Sequence, residues 1–411
     1  MADDLTLGSA NVVTMSDPDR AGAVTVSGGL IASVGETTSA AVDLEGATVL
    51  PGFIDSHSHW LGDSDMVGNT KPMAIAAALA AGWTSISEMF VSDERLEELC
   101  ALELAGDLRV KVGAFLPVNY QLQRFGHPYE AFEPGQVLGS TLFLQGVKLF
   151  TDGADDGLGY QTKPPNPAVQ GTLFWKGDDL ANEIVAADQA GWQVAVHATG
   201  DAGLDALLEA YEQLGREAIL EGRHRIEHLT TVRDDQVGRI AALGLIASIQ
   251  HSWFHGDTAE TLTRWVGRDR VSFTGRWRDF VDAGIPLTGG TDHPWSIAGE
   301  VGDSIAAIAH ATTRVGTSGK PPPAWMASQR LTVWEVLRSL TVDAAYAQGT
   351  EESMGTIEVG KAGDLVILSA DPTQVPPGEL ASIKVLATIV DGHVEYCADT
   401  VPDDLRPRCP A

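Results

Sequence analysis

Six side chains offer this sequence its chemistry: His57, His59, Lys148, His197, His228 and Asp292. His57 and His59 close the run Pro51-Gly52-Phe53-Ile54-Asp55-Ser56-His57-Ser58-His59. In an extended segment, residues two apart project to the same side, so both imidazoles can face one metal ion. Alone, a His-x-His pair is more often structural. Here it has company: Lys148 lies in Val147-Lys148-Leu149-Phe150, His197 ends Val194-Ala195-Val196-His197, His228 ends Arg225-Ile226-Glu227-His228, and Asp292 ends Gly289-Gly290-Thr291-Asp292. A lysine inside an apolar strand is costly unless something uses it. Ordinary packing gives no reason for four histidines, a lysine and an aspartate to recur at strand ends.

The chemistry follows from charge. An amine held near two cations is favoured in its neutral form and can add carbon dioxide, giving a carbamate long enough to bridge two metals. His57, His59 and Asp292 would hold one ion, His197 and His228 the other. A bridging water would lose a proton near neutral pH, and one ion would polarise a substrate carbonyl. Asp292 is the candidate catalytic group, moving a proton from the attacking hydroxide to the leaving nitrogen. Imidazole and carboxylate ligands suit zinc, with manganese and iron as alternatives.

These residues need a scaffold that brings strand ends together. Apolar β-branched segments at 49–57, 84–90, 109–118, 146–150, 193–197, 224–228, 245–251 and 286–292 alternate with alanine- and leucine-rich helical stretches, including 71–81, 180–190, 202–214 and 234–243. Eight such units argue for an α/β fold, a (β/α)8 TIM barrel whose active site lies at the carboxyl ends of the strands. Short alternating strands fill the first fifty residues and recur near the C-terminus, where Asp391-Gly392 reads as a hairpin turn. The expected division is a composite β-sandwich from 1–50 with 355–400, a barrel over 51–354, and a tail over 401–411.

Composition narrows the function. The 411 residues suit one barrel of about 300 residues with a smaller domain. A formal net charge of −29 would repel nucleic acid and anionic membrane surfaces, so a small-molecule substrate is expected and neither of those partners. No apolar run approaches the roughly 18–20 residues that span a bilayer. The start Met-Ala-Asp-Asp-Leu lacks a secretory pattern, which points to the cytoplasm. There, Cys100, Cys397 and Cys409 are thiols by default, although Cys397 and Cys409 could pair and pin the tail.

Weaker candidates surround the six. Trp60, His251, Trp253, His255, His293 and Trp295 follow strand ends and are candidate substrate contacts, with structural roles equally open. Asp152 and Asp201 could orient ligands from behind or cap helices. Glu227 should point away from His228 towards the helices and form a salt bridge, and Arg264, Arg268 and Arg270 read as a solvated face.

The run Pro51–His59 resembles the opening signature of the amidohydrolase superfamily. Gly146–Gly153, Gly191–Asp201 and His224–His228 resemble its N-substituted formamide deformylase-like branch, and Met354–Leu368 is similar to the segment that returns the chain to the small β-sandwich. The resemblance covers nearly the whole chain. It implies ligand roles for all six residues, a carboxylated Lys148, and metal-dependent hydrolysis of a non-peptide carbon–nitrogen bond in an amide or cyclic amide. Ester, lactone or phosphoester hydrolysis at the same binuclear site is the alternative within enzymes. A catalytically inactive scaffold of this fold is the alternative outside them, disfavoured because all six positions hold competent ligands. Dimers or larger assemblies are common among such barrels, so a homo-oligomer stays open.

Overall fold

Parallel strands covered on both faces are apolar throughout, and the eight runs read from the sequence behave this way in the computed structural model, which describes residues 4–36, 41–153, 159–165, 170–296 and 302–410. The barrel strands are β1 (Phe53–Ser58), β2 (Trp83–Glu88), β3 (Lys111–Pro117), β4 (Leu142–Phe150), β5 (Gln193–Ala198), β6 (Arg225–His228), β7 (Ile246–Gln250) and β8 (Leu287–Gly290). Each pairs in parallel with the next, in chain order, around one sheet. The two ends of that sheet meet: Asp292 N donates to His57 O and His59 N to His293 O, each at 2.8 Å. Ser56 Oγ and Thr288 Oγ1 also bond across the seam. Gly290 permits this approach, because a Cβ there would lie 2.6 Å from the His57 backbone nitrogen.

Helices Lys71–Ala80, Asp93–Ala105, Asp179–Gln189, Asp201–Leu214 and Asp234–Leu243 follow β1, β2, β4, β5 and β6. The third unit departs from the expected pattern. After β3 the chain makes a small hairpin, Asn119–Tyr120 paired with Gln123–Arg124, because no 3.6-residue apolar period exists there to support a helix.

The run expected as one strand over 49–57 divides at Gly52. Thr48–Pro51 pairs antiparallel with Leu365–Leu368 and in parallel with Asn11–Val13, inside a six-stranded sheet that interleaves both ends of the chain. A Cβ at Gly52 would lie 2.2 Å from Thr84 Oγ1, so glycine is what lets the chain pass from that sheet into β1. A four-stranded sheet, including Leu5–Gly8 and Ala23–Ser27, packs nearby through Leu7, Val24, Val49, Ile367 and Ile389. Asp391 and Gly392, at φ 47° and 76°, form the expected hairpin turn between Val385–Val390 and His393–Cys397. Cys397 and Cys409 are joined as a disulfide with Cα atoms 5.7 Å apart, rather than standing as the default free thiols. Among the described residues no helix is long and apolar enough to cross a membrane.

Candidate metal centre

The seam between β1 and β8 builds the first half of the site. Asp55, buried in β1, accepts from Thr291 N at 2.9 Å, Thr291 Oγ1 at 2.6 Å and Trp60 Nε1 at 2.9 Å. Burial pushes its carboxyl up to about 6 against those hydrogen bonds. Beyond this stitch the backbone turns left-handed at Asp292, φ 56°, which aims the carboxylate back over the barrel mouth. Asp292 Oδ1 lies 3.4 Å from His57 Nε2 and 3.4 Å from His59 Nε2. The three side chains offer ligand atoms all within 4.8 Å of one another.

The second half comes from β4, β5 and β6. The His197 and His228 rings are 4.4 Å apart, and His228 lies 4.7 Å from His57 between centroids. Burial pushes His228 down to about 3 and His197 well below the ordinary imidazole range, with neighbouring His57 and His228 respectively adding to the effect. Both are therefore neutral and ready to donate a lone pair. Lys148 is fully buried, and burial lowers its amine to about 8 although Glu227 and Asp292 pull the other way. Among the described residues, its Nζ and the His197 Nε2 have no hydrogen-bond partner. Orphaned buried polar atoms carry the whole desolvation penalty, and these two sit among groups whose chemistry is that of divalent-metal ligands. The residues fit such ions.

Glu227 corrects the sequence reading. It faces the barrel interior, fully buried, with Oε2 2.6 Å from His57 Nδ1. Period-two alternation fails here because His228 takes φ 76°, so consecutive side chains both turn inward. The expected salt bridge does exist: Arg225 Nε and Nη2 donate to the two Glu227 oxygens at 2.5 and 3.0 Å, and Nη2 also bonds Ser56 O and Ser248 Oγ. Arg225 and His57 hold the Glu227 carboxyl well below its usual range against burial. With Nδ1–H directed at Glu227, His57 presents the Nε2 lone pair to the cluster. His228 is held similarly, its Nδ1 3.0 Å from Gln250 Oε1.

The cluster lies in a cavity of about 590 Å³. Trp253 and Trp295 are on its wall; Trp60, His251, His255 and His293 are not. Trp60 stacks on His293 at 3.9 Å, supporting the seam from behind. His251 packs edge-on to Trp277 with Nε2 3.2 Å from Ser339 Oγ, and His255 packs against His310. These turn away because the chain leaving β7 folds back under the outer helices. Asp152 lines the cavity and accepts from Thr199 N, Gly200 N and Tyr160 N, with Oδ1 3.8 Å from His197 Nε2. Asp201 is farther off, tied to Thr162, Arg233 and Arg270. Arg270 is thus buried, unlike the exposed Arg264 and Arg268 with which the sequence grouped it. The sequence reading missed Glu227's inward role and the wall residues Phe90, Tyr120, Phe150, Phe174 and Trp265. Those aromatics come from separate strands, loops and a helix and share no spacing that could have flagged them.

Imidazoles, a carboxylate and a lysine at the carboxyl-terminal mouth of a (β/α)8 barrel make the arrangement of the metal-dependent hydrolases. The chain belongs to the amidohydrolase family, whose sequence model matches residues 73–396. It is 27% identical over 280 residues to the putative amidohydrolase YtcJ of Bacillus subtilis, covering 67% of this chain and 49% of that one. It is 29% identical over 247 residues to an N-substituted formamide deformylase of Arthrobacter pascens, covering 56% and 43% respectively. The chain thus spans about half the length of these relatives. In three dimensions it is similar to an uncharacterized metal-dependent hydrolase from Pyrococcus horikoshii, with TM-score 0.77 and 23% identity over 92% of this chain and 99% of that one.

Proposed function

We propose that the protein hydrolyses a non-peptide carbon–nitrogen bond, in an amide or cyclic amide, at a pair of divalent ions. His57, His59 and Asp292 would hold one ion, His197 and His228 the other, with Lys148 as a carbamate between them. The observation that carries this reading is Lys148: a buried, unpartnered amine, lowered to about 8, beside neutral imidazoles and an ionised carboxylate. A neutral amine is the form that can take up carbon dioxide.

When bound, the ions supply Lewis acidity and make water acidic enough to attack near neutral pH. The chain's own residues do the rest. Although burial alone would raise it, the Asp292 carboxyl is held well below its usual range by His57, His59 and His228, so it is ionised and can accept a proton. It can then return that proton to the leaving nitrogen. Glu227 and Gln250 keep the ring orientations of His57 and His228 fixed while this happens.

The test is a product-release screen of N-acyl amines, cyclic amides and esters on metal-loaded protein, with Lys148→Ala as control. Turnover of an amide or cyclic amide that depends on Lys148 supports the reading. Turnover confined to esters, or amide turnover unchanged in Lys148→Ala, overturns it.

A further inference from the structure

Beyond its ligands, the cavity has a consistent chemical character. Phe90, Tyr120 and Phe150 form an edge-to-face group with centroids 5.8, 6.2 and 5.4 Å apart, extended by Phe125 at 5.5 Å from Phe90. Phe150 in turn lies 5.0 Å from the His197 ring, and Trp253 stacks on His228 at 5.7 Å with 21° between the planes. Anything that reaches either imidazole therefore passes beside an aromatic face. Trp265 and Phe174 add to the wall. At the rim Tyr120 and Trp295 each remain 45% exposed, apolar surface that an occupant would take out of water.

Among the described residues, charge in the cavity is already spoken for. Apart from the proposed ligands, the charged residues among the described lining are Asp63, Arg95 and Asp152. Arg95 Nη2 pairs with Asp63 Oδ1 at 2.5 Å, its Nη1 donates to Phe90 O, and Asp63 Oδ2 also accepts from Trp295 Nε1 at 3.1 Å. Asp152 is occupied by three backbone N–H groups. Among the described lining residues, a substrate carboxylate or ammonium would find no free counter-charge to offset its desolvation, whereas a flat apolar ring finds faces and edges to pack on.

Resting on the amide-hydrolase reading above, we propose that the substrate is an uncharged amide bearing an aromatic or comparably flat carbocyclic group, and that amides of amino acids or peptides with charged ends are excluded. The aromatic wall is the specificity determinant, and the metal cluster is indifferent to it.

Three acetyl amides separate the possibilities: acetanilide, N-methylacetamide and N-acetylglycine share the acyl group and differ in ring and charge. Binding to the metal-loaded full chain is read by quenching of intrinsic tryptophan fluorescence, and hydrolysis by acetate release. Acetanilide should bind at least about tenfold more tightly than N-methylacetamide, with N-acetylglycine weakest. Trp265→Leu should lose most of that advantage, read as the ratio of acetanilide to N-methylacetamide affinity in the same variant. Equal or tighter binding of N-methylacetamide or N-acetylglycine overturns the proposal, as does an undiminished acetanilide preference in both Trp265→Leu and Phe90→Leu. The two readings fail separately. Preferred binding of acetanilide with no amide hydrolysed in any screen supports the aromatic site and counts against the hydrolase. Efficient hydrolysis of N-acetylglycine does the reverse.

Discussion

Two lysines on neighbouring barrel strands meet opposite fates. Lys111, at the start of β3, places Nζ 2.7 Å from Asp364 Oδ2 and 2.8 Å from Asp391 Oδ1, clamping the barrel to the sheet of the C-terminal strands. Although its burial works against the charge, those two carboxylates raise its amine above the ordinary 10.5. Lys148, in β4 near the opposite mouth, has no hydrogen-bond partner among the described residues, and burial lowers it to about 8. Both are withdrawn from water, yet only one is hydrogen-bonded to its counter-ions. A lysine with partners holds the fold together. One without them is the group we propose to bridge the metal pair.

The sharpest way to break this contrast is to exchange the consequences. On the proposed bridging role, Lys148→Ala should lower kcat/KM by about a thousandfold or more, since it would remove the electrostatic stabilisation that dominates such catalysis. Lys111→Ala should leave kcat/KM within about twofold but cost about 2–3 kcal/mol in urea unfolding, because the buried Asp364 and the partly exposed Asp391 lose their cation. A Lys111 variant with full stability, or one that is inactive while folded, would dissolve the distinction.

The two lysines also give stability opposite dependences on pH. For Lys111, the folded value lies above the unfolded one, so its contribution is complete below about 10.5 and fades as the pH rises past its raised value. For Lys148, the folded value of about 8 lies below the unfolded 10.5, so the metal-free chain binds fewer protons folded than unfolded between them. Its burial penalty is complete below about 8 and shrinks as the pH climbs towards 10.5. Metal-free Lys148→Met should therefore be more stable than the parent by roughly 3 kcal/mol at pH 7, with the gap closing above pH 8. Urea midpoints across that range check the sign; a gap that widens with pH contradicts it.

A smaller effect is expected behind the ligands. Glu227→Gln keeps a hydrogen-bond acceptor beside His57 but removes the charge that Arg225 and His57 share. Metal affinity should fall about 10–100-fold, read by competition with a chelator, with the far-ultraviolet circular dichroism unchanged. Unaltered affinity would reduce Glu227 to a packing partner of Arg225.

The barrel and the six candidate ligands were legible because each polar residue interrupts or terminates an apolar run, a signal carried by adjacent residues. Residues 118–141 broke the repeat because their aromatic, glycine and proline content supports a hairpin instead of a helix. Glu227 was misdirected because alternation presumes extended geometry, and His228 at φ 76° abandons it. Arg270 resembled its exposed neighbours until Asp201, sixty-nine positions earlier, gave it a buried partner. The aromatic wall was invisible for the same reason: Phe90, Tyr120, Phe174 and Trp265 become neighbours of one cavity only through folding.

The state of Lys148 tests the account most directly. Protein equilibrated with ¹³C-labelled bicarbonate and divalent metal should show a carbamate carbonyl resonance by NMR and close to two ions per chain by elemental analysis, and Lys148→Ala should lose the resonance and at least one ion. A wild-type chain without that resonance, or a Lys148→Ala chain with its full metal complement, would contradict it.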